Sequence, residues 1–513
     1  MTTNLLRLAA ALCLAFAVTS ATAQDSGRRG RGGDRAADAD ASESRPSGGS
    51  ILRLLPSDSV TEHAIDTAKG KLAYTATAGT LAFFDQSGEK SAAIFYTAYV
   101  AKDGGANRPL TFVFNGGPGA ASAYLHLGLV GPRILDLGPG ARDAAHAEMR
   151  DNPDTWLAFT DLVLIDPIGT GWSRTVKSDD AKHFWGVRSD ADAMAKFIAL
   201  YVDHNNRAAA PKYLFGESYG GFRAAKTARA LQRDQGLSVA GIVMLSPLLQ
   251  GSLTFGDDGS ALRAALQLPS LAAAELERRN AFSTASLAAA EKFAMTDYLV
   301  TLAGAPPQGD AARAFYERVA KTTGVPLDVV TQSRGFVSGA FTKTLRAEDG
   351  KVVSRYDATF AVDDPYPDSR SWRGPDPVLD GVSRAYGGAM AAYARNELGF
   401  KTEMTYTLLA GDPAREWDWQ GNRAQIDAED DLRTLLAFDP SFHLLIAHGY
   451  SDMVTPYAMT RYMLDHMPQI GAPGRARLKL YRGGHMIYID AQSRKAFSAD
   501  AAAFYRGADN VTR

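Results

Sequence analysis

The chain has 513 residues, 46% of them hydrophobic and 22% charged, with a formal net charge of -2 at pH 7. That is more than one small core can organise, and the length alone allows about two to four domains in an ordinary globular protein. So slight a charge excludes any electrostatic reason for binding nucleic acid or an anionic membrane, and leaves small molecules or proteins as expected partners.

Arg7 precedes the apolar run Leu8 to Val18, and Ala21-Thr22-Ala23 has the small-residue pattern of a cleavage site. Residues 1–23 are therefore expected to be a secretory signal peptide, too short in its apolar run to span a bilayer. The only cysteine, Cys13, lies inside that run, and Leu12 before it is not the small residue of a lipoprotein site. A mature chain without cysteine excludes a thiol nucleophile, a disulfide and a cysteine metal site, and suits a periplasmic or extracellular protein. Residues 24–50 hold hardly an apolar side chain and are expected to form a disordered linker. The basic run Arg28 to Gly33 would suit RNA, but Asp34, Asp38, Asp40 and Glu43 cancel its charge. No other long apolar stretch follows, so no membrane span is expected in the mature chain.

The folded part is expected to begin near Ile51. Lys71 to Thr77, Thr80 to Phe84 and Ala92 to Val100 are β-prone runs broken by Gly79 and by Gln86-Ser87-Gly88, which predicts an antiparallel meander. Leu110 to Asn115 and Leu162 to Asp166 read as buried strands. Met194, Phe197, Ile198 and Tyr201 fall on one helical face behind Ser189 and Asp192 in a capping-box arrangement, predicting a helix over 189–204. Strands and helices then alternate to a strand at Val239 to Leu245, which implies a mostly parallel sheet with helices on both faces.

Within that alternation stands KYLFGESYGG, Lys212 to Gly221. A short apolar run ends in Gly216, Ser218 follows, and two glycines lead into a helical segment. This is the pattern of a nucleophile elbow, whose turn is too sharp for side chains at its flanks. The serine hydroxyl would stand at a helix N-terminus, where backbone amides favour developing negative charge.

Residues 51–250 are thus expected to be the first part of an α/β core. From Gly251 to Gly421 the chain is alanine-rich with helical periodicity, as in Leu271 to Arg279, Thr284 to Leu302 and Asp310 to Lys321, and then Asp/Pro/Gly-rich around Asp363 to Pro377. This predicts a largely helical inserted cap over the edge of the sheet where such folds bind ligands. Residues 422–513 resume the core with a helix Asp427 to Phe438 and a strand Phe442 to His448. That strand runs into HGYSD, placing Asp452 just past its end, and Thr455 is expected to cap the next helix with Pro456 at N1. A further strand, Arg477 to Tyr481, leads into RGGHM and His485.

Serine, acid, histidine, each just after a strand, is the chain order of the α/β-hydrolases. A serine hydroxyl is a poor nucleophile at neutral pH, so His485 would take its proton and return it to the leaving group, while Asp452 would fix the imidazole tautomer. His448 is the rival base, and Asp166, which precedes the serine and is followed by Pro167, is expected to be structural. The oxyanion needs two amides, expected at Tyr219 and in NGGPG, Asn115 to Gly119, where Gly116 and Gly117 let backbone approach closely. That loop lacks the Lys-Ser/Thr pair of a phosphate loop, and the nine histidines show no metal-ligand spacing, so neither metal nor cofactor is expected.

FNGGPGAAS (Phe114 to Ser122), GPR at Gly131, IDPIGTGWS (Ile165 to Ser173), GESYGG, HGYSD and GGHM together resemble the serine carboxypeptidase family, of the cathepsin A type. The resemblance implies an α/β-hydrolase that removes C-terminal residues from peptides, with Ser218, Asp452 and His485 as triad and the Gly117 and Tyr219 amides as oxyanion hole. It also implies that Asn115, Gly116 and Glu217 bind substrate, Asn115 and Glu217 holding its C-terminal carboxylate. A carboxyl group beside a carboxylate requires that one be protonated, which favours acidic pH. The sequence departs from the family at Ala120 and Ala121, where better-known members begin a cysteine pattern, and at Leu129, where they carry a second glutamate. His126 or Arg133 would be the residues to supply the missing contact; otherwise each is a surface or helix residue. A serine esterase or lipase, a proline-releasing aminopeptidase and an inactive binding protein on the same scaffold are the alternatives.

Overall fold

The computed structural model describes residues 50–68 and 70–507. The expected signal peptide, and the expected linker as far as residue 49, lie outside the described residues. Among the described residues, nine strands run in the spatial order β1-β2-β3-β5-β4-β6-β7-β8-β9, and a short strand, Arg174–Thr175, pairs with β3 beside them. They are β1 (Ser59–Thr67), β2 (Gly70–Phe84), β3 (Lys90–Ala101), β4 (Leu110–Phe114), β5 (Asp161–Ile165), β6 (Lys212–Glu217), β7 (Gly241–Leu245), β8 (His443–Gly449) and β9 (Ala476–Tyr481). The first three form an antiparallel meander, but not from the expected runs: Lys71 to Thr77 and Thr80 to Phe84 belong to the single strand β2, and β1, which was not expected, is the third member; β3 also pairs antiparallel with β5. Every pairing from β5 through β9 is parallel.

The central strands are buried on both faces, and their side chains divide by period two. Ile242 and Met244 of β7 and Leu444 and Ile446 of β8 point into one apolar layer, with Phe112 and Phe114 of β4. Val243, Leu245, Leu445 and Ala447 point into the other, with Val113 and Phe215. The first layer is closed by α1 (Val187–His204) and α2 (Tyr219–Ala230), through Met194, Phe197, Tyr201 and Phe222. A helix over the predicted stretch is therefore present, but it starts at Val187 from a Gly186 cap, with Ser189 inside its first turn.

Two expected breaks are corrected. Gly79 does not interrupt the meander, because β2 runs through it; the Asp58 carboxylate packs where a Cβ would stand, 2.3 Å from its Cγ, and accepts from Thr80 N. The alanine-rich helix does not begin at Leu271 but spans Ala261–Arg278, here α3, with Pro269 inside.

Between β7 and β8 the chain is mostly helical, with one small hairpin, Lys351–Val353 against Ala361–Asp363. Most of α3 and its neighbours build a separate apolar cluster. The end of this stretch behaves differently. Tyr386, Met390, Tyr393, Phe400, Met404 and Leu408 join the core layer beside the sheet, and Thr407 and Leu409 make single bridges to Gly171 and Ala120. Among the described residues, no helix is long and apolar enough to cross a membrane.

Candidate active site

Ser218 occupies the one residue between β6 and α2, with φ 62° and ψ −128°. An L-residue tolerates that region only where its surroundings over-determine it. Ser218 N donates to Leu245 O at 2.9 Å, while Ser218 O accepts from Gly221 N at 2.9 Å and Leu248 N at 3.1 Å. A Cβ on Gly216 would stand 1.9 Å from Gly220 O, so no other residue lets the strand meet its own helix so closely.

β8 and β9 end side by side, and their loops bring Asp452 and His485 together. Nδ1 of His485 lies 2.8 Å from Oδ2 of Asp452, both residues being buried. A carboxylate is acceptor-only, so the ring proton is assigned to Nδ1 and Nε2 is left to accept. The other carboxylate oxygen accepts from Val454 N at 2.8 Å and Thr455 N at 3.0 Å, and the Thr455 hydroxyl donates to Oδ2 at 2.8 Å. Burial opposes its charge, but the His485 imidazole and these donors hold the Asp452 carboxyl below the usual range. Burial likewise opposes protonation of His485, and Asp452 outweighs it, so its pKa is raised. Thr455 is thus not the cap expected for the next helix: that helix starts at Tyr457 with Pro456 in the cap position, and the threonine serves the aspartate.

Ser218 and His485 line one cavity of about 170 Å³, together with Asn115, Gly117, Glu217 and Tyr219. Gly116 packs against the elbow so closely that a Cβ would lie 2.6 Å from both Glu217 O and Tyr219 N. Among the described residues the Gly117 and Tyr219 amides have no acceptor. The NGGPG loop is tied to the elbow helix by Arg223, which sequence reasoning missed. Its guanidinium donates to Asn115 O and pairs with Asp190 of α1 at 2.6 Å, wholly buried.

Glu217 is buried beside the cavity. Asn115 Nδ2 donates to its Oε2 at 2.7 Å, an orientation set because Asn115 Oδ1 accepts from Leu125 N at 3.0 Å. The Tyr488 hydroxyl, on the histidine loop, donates to the same oxygen at 3.1 Å. Burial pushes the Glu217 carboxyl up to about 7 against these donors and the neighbouring imidazole. Tyr488 was also missed; its position three residues past His485 was the only signal.

The long insertion contributes directly. Tyr356 accepts from His485 N through its carbonyl, and its ring stands edge-on to the imidazole at 5.1 Å. Asp357 accepts from the Ser451 hydroxyl at 2.7 Å, and Met453 N donates to Arg355 O at 3.1 Å. One strap, residues 354–358, therefore holds the aspartate and histidine loops at once.

Other candidates lie elsewhere. His448 is fully buried, bonded to the Thr460 hydroxyl at 2.9 Å, and burial pushes its pKa down to about 4. It is absent from the cavity wall. Asp166 accepts from Ser122 N at 2.8 Å, and burial pushes it up to about 7 away from the cavity. His126 is bound to the Tyr99 hydroxyl at 2.6 Å in the core, and Arg133 pairs with Asp151 and Glu397, so neither supplies the contact missing at Leu129. Leu129 itself is buried in the apolar layer.

The profile of the serine carboxypeptidase family matches residues 71–245. Over this span, about a third of its length, the chain is similar to that family. Serine carboxypeptidase-like 41 of Arabidopsis thaliana is 30% identical over 165 residues, which is 31% of this chain and 34% of that protein. Retinoid-inducible serine carboxypeptidase of Mus musculus is 32% identical over 141 residues, 26% and 28% of the two chains. The chain thus spans about a third of the curated relatives it matches. Among solved structures, Kex1Δp, a prohormone-processing carboxypeptidase from Saccharomyces cerevisiae, aligns with a TM-score of 0.53 at 13% identity, over 90% of this chain and 95% of its own. The matched span and the strands that follow it share the α/β-hydrolase fold.

Proposed function

We propose that the protein is a serine carboxypeptidase that removes C-terminal residues from peptides. One observation carries the reading: the Asp452–His485 pair and Ser218 meet at a cavity whose wall also holds the Asn115–Glu217 pair. In this reading Nε2 of His485 takes the Ser218 proton as Oγ attacks the scissile carbonyl carbon. The Gly117 and Tyr219 amides receive the oxyanion, and Gly116 keeps that loop against the elbow. His485 then gives its proton to the leaving nitrogen, the C–N bond breaks, and water repeats the sequence on the acyl-enzyme ester. Protonated Glu217 donates to the substrate's terminal carboxylate, with the Asn115 amide beside it.

Residues 1–23 as a signal peptide, 24–50 as a linker, and 251–421 as an insertion that shapes access belong to the same proposal, with export to the periplasm or cell exterior. A time course of a long peptide followed by mass spectrometry tests it: residues should leave singly from the C-terminus, and Ser218→Ala should release none. Internal cleavage, or release from the N-terminus, would overturn it. Leu129 favours one second reading, an esterase with the same triad, because half of the family's acidic pair is replaced by an apolar side chain.

A further inference from the structure

Arg355 stands on the cavity wall through the strap of the long insertion. It is exposed, and among the described residues its guanidinium has neither an ion-pair nor a hydrogen-bond partner. Asp376, which is bonded to the Arg355 backbone, is committed: it accepts from Ser354 Oγ and from the Arg355, Val378 and Leu379 amides. Arg355 also lines a second cavity, of about 290 Å³. The two adjoin along one segment, Val454 and Thr455 facing the first and Met453 and Pro456 the second. Asp258 in the second cavity is paired with Arg263, so no acidic group there answers Arg355. Glu217, Asp452 and His485 are held by the partners already described.

We propose that Arg355 selects an acidic side chain on the acyl side of the scissile bond. The inference rests on the carboxypeptidase reading for its direction. Asn115 and Glu217 close the site around the single leaving residue, so a longer chain continues the other way, past Arg355 into the second cavity. A guanidinium without a partner there recognises a carboxylate by paired, charge-assisted hydrogen bonds, which a neutral side chain of equal size does not return.

The test uses N-blocked peptides ending in leucine, with glutamate or glutamine at the first or second position before the scissile bond, beside the matching acyl-side esters. The wild-type protein should prefer glutamate at one of these positions in kcat/KM, and added salt should weaken that preference. Arg355→Gln should reduce the ratio about tenfold, the effect of one charge-assisted pair, while glutamine substrates keep their rate. Arg355→Glu should turn the preference toward lysine. Equal rates for glutamate and glutamine in the wild type would overturn the proposal. So would a loss in Arg355→Gln that ignores the acyl side chain and follows the free C-terminus, because the guanidinium would then hold the terminal carboxylate. The esters keep the two readings apart: a glutamate preference on esters without peptide cleavage would sustain Arg355 and sink the carboxypeptidase assignment.

Discussion

Asn115 and Glu217, 102 residues apart in the chain, meet at 2.7 Å between the side-chain amide of one and the carboxylate of the other. The contact joins the loop after β4 to the end of β6, and it sits beside a carboxyl group that burial pushes up to about 7. Most of what can be measured on this protein follows from that contact and from the groups around it.

The pH profile should depend on the substrate. In the proposed reading, Glu217 carries a proton below about pH 7 and would donate to a substrate carboxylate, whereas above it the two anions would repel. KM for free-acid peptides should therefore rise with pH through this range. Rates on esters should follow only the loss of the His485 proton and rise with pH, with a midpoint above the ordinary histidine value because Asp452 raises it. In Glu217→Gln the alkaline rise in KM should vanish, as pH-resolved kinetics would read.

Tyr488→Phe should move that alkaline limb upward. The phenol favours the ionised form of Glu217 by donating to it, so its removal leaves the proton on to higher pH. A limb that stays in place would mean that the hydroxyl does not reach the carboxylate in solution.

Ser218→Ala should abolish turnover and leave the melting temperature unchanged, since alanine must adopt the same φ of 62°. Ser218→Gly should be equally inactive but more stable by about 1 kcal/mol, because glycine relieves the strain. Calorimetry of the two variants separates strain from chemistry.

Arg223→Ala should destabilise the fold by about 3–5 kcal/mol, leaving Asp190 buried without its partner. Replacing the pair together, Asp190→Leu with Arg223→Met, should recover most of that stability. Activity should not recover with it, because Asn115 O has lost the donor that ties the NGGPG loop to α2. Gly116→Ala should have the same kinetic character, lowering kcat by about a hundred- to a thousandfold as the loop is pushed off the elbow.

The elbow, the three strand ends and the β2 and β3 parts of the meander were legible because each is local. A glycine two residues from a serine, or an apolar run ending in a polar residue, needs only its neighbours to be read. What escaped was non-local or fell on mixed patterns. β1 pairs along its whole length with β2, yet six of its nine residues are polar and only Ile65 is buried, so Ser59 to Thr67 carries no apolar alternation strong enough to mark it. Thr455 has the form of a helix cap, and only the fold brings Asp452 and His485 to it instead. Arg223 looks like a helix surface residue until Asp190 arrives from another helix, and Tyr488 looks like core until Glu217 is buried against it. The strap at 354–358 lies in a Ser/Asp-rich stretch whose own pattern says only turn, and its partners are about 100 residues further on.

Whether the cavity reads a free C-terminus is decided by comparing an N-blocked dipeptide acid with its C-terminal amide and a simple acyl ester, from acidic to neutral pH. The acid should be cleaved faster than the amide, by a margin that widens as the pH falls through about 7 and Glu217 takes up its proton. Cleavage of the ester with no turnover of the acid at any pH would contradict it, and would make the protein an esterase built on the same serine, histidine and aspartate.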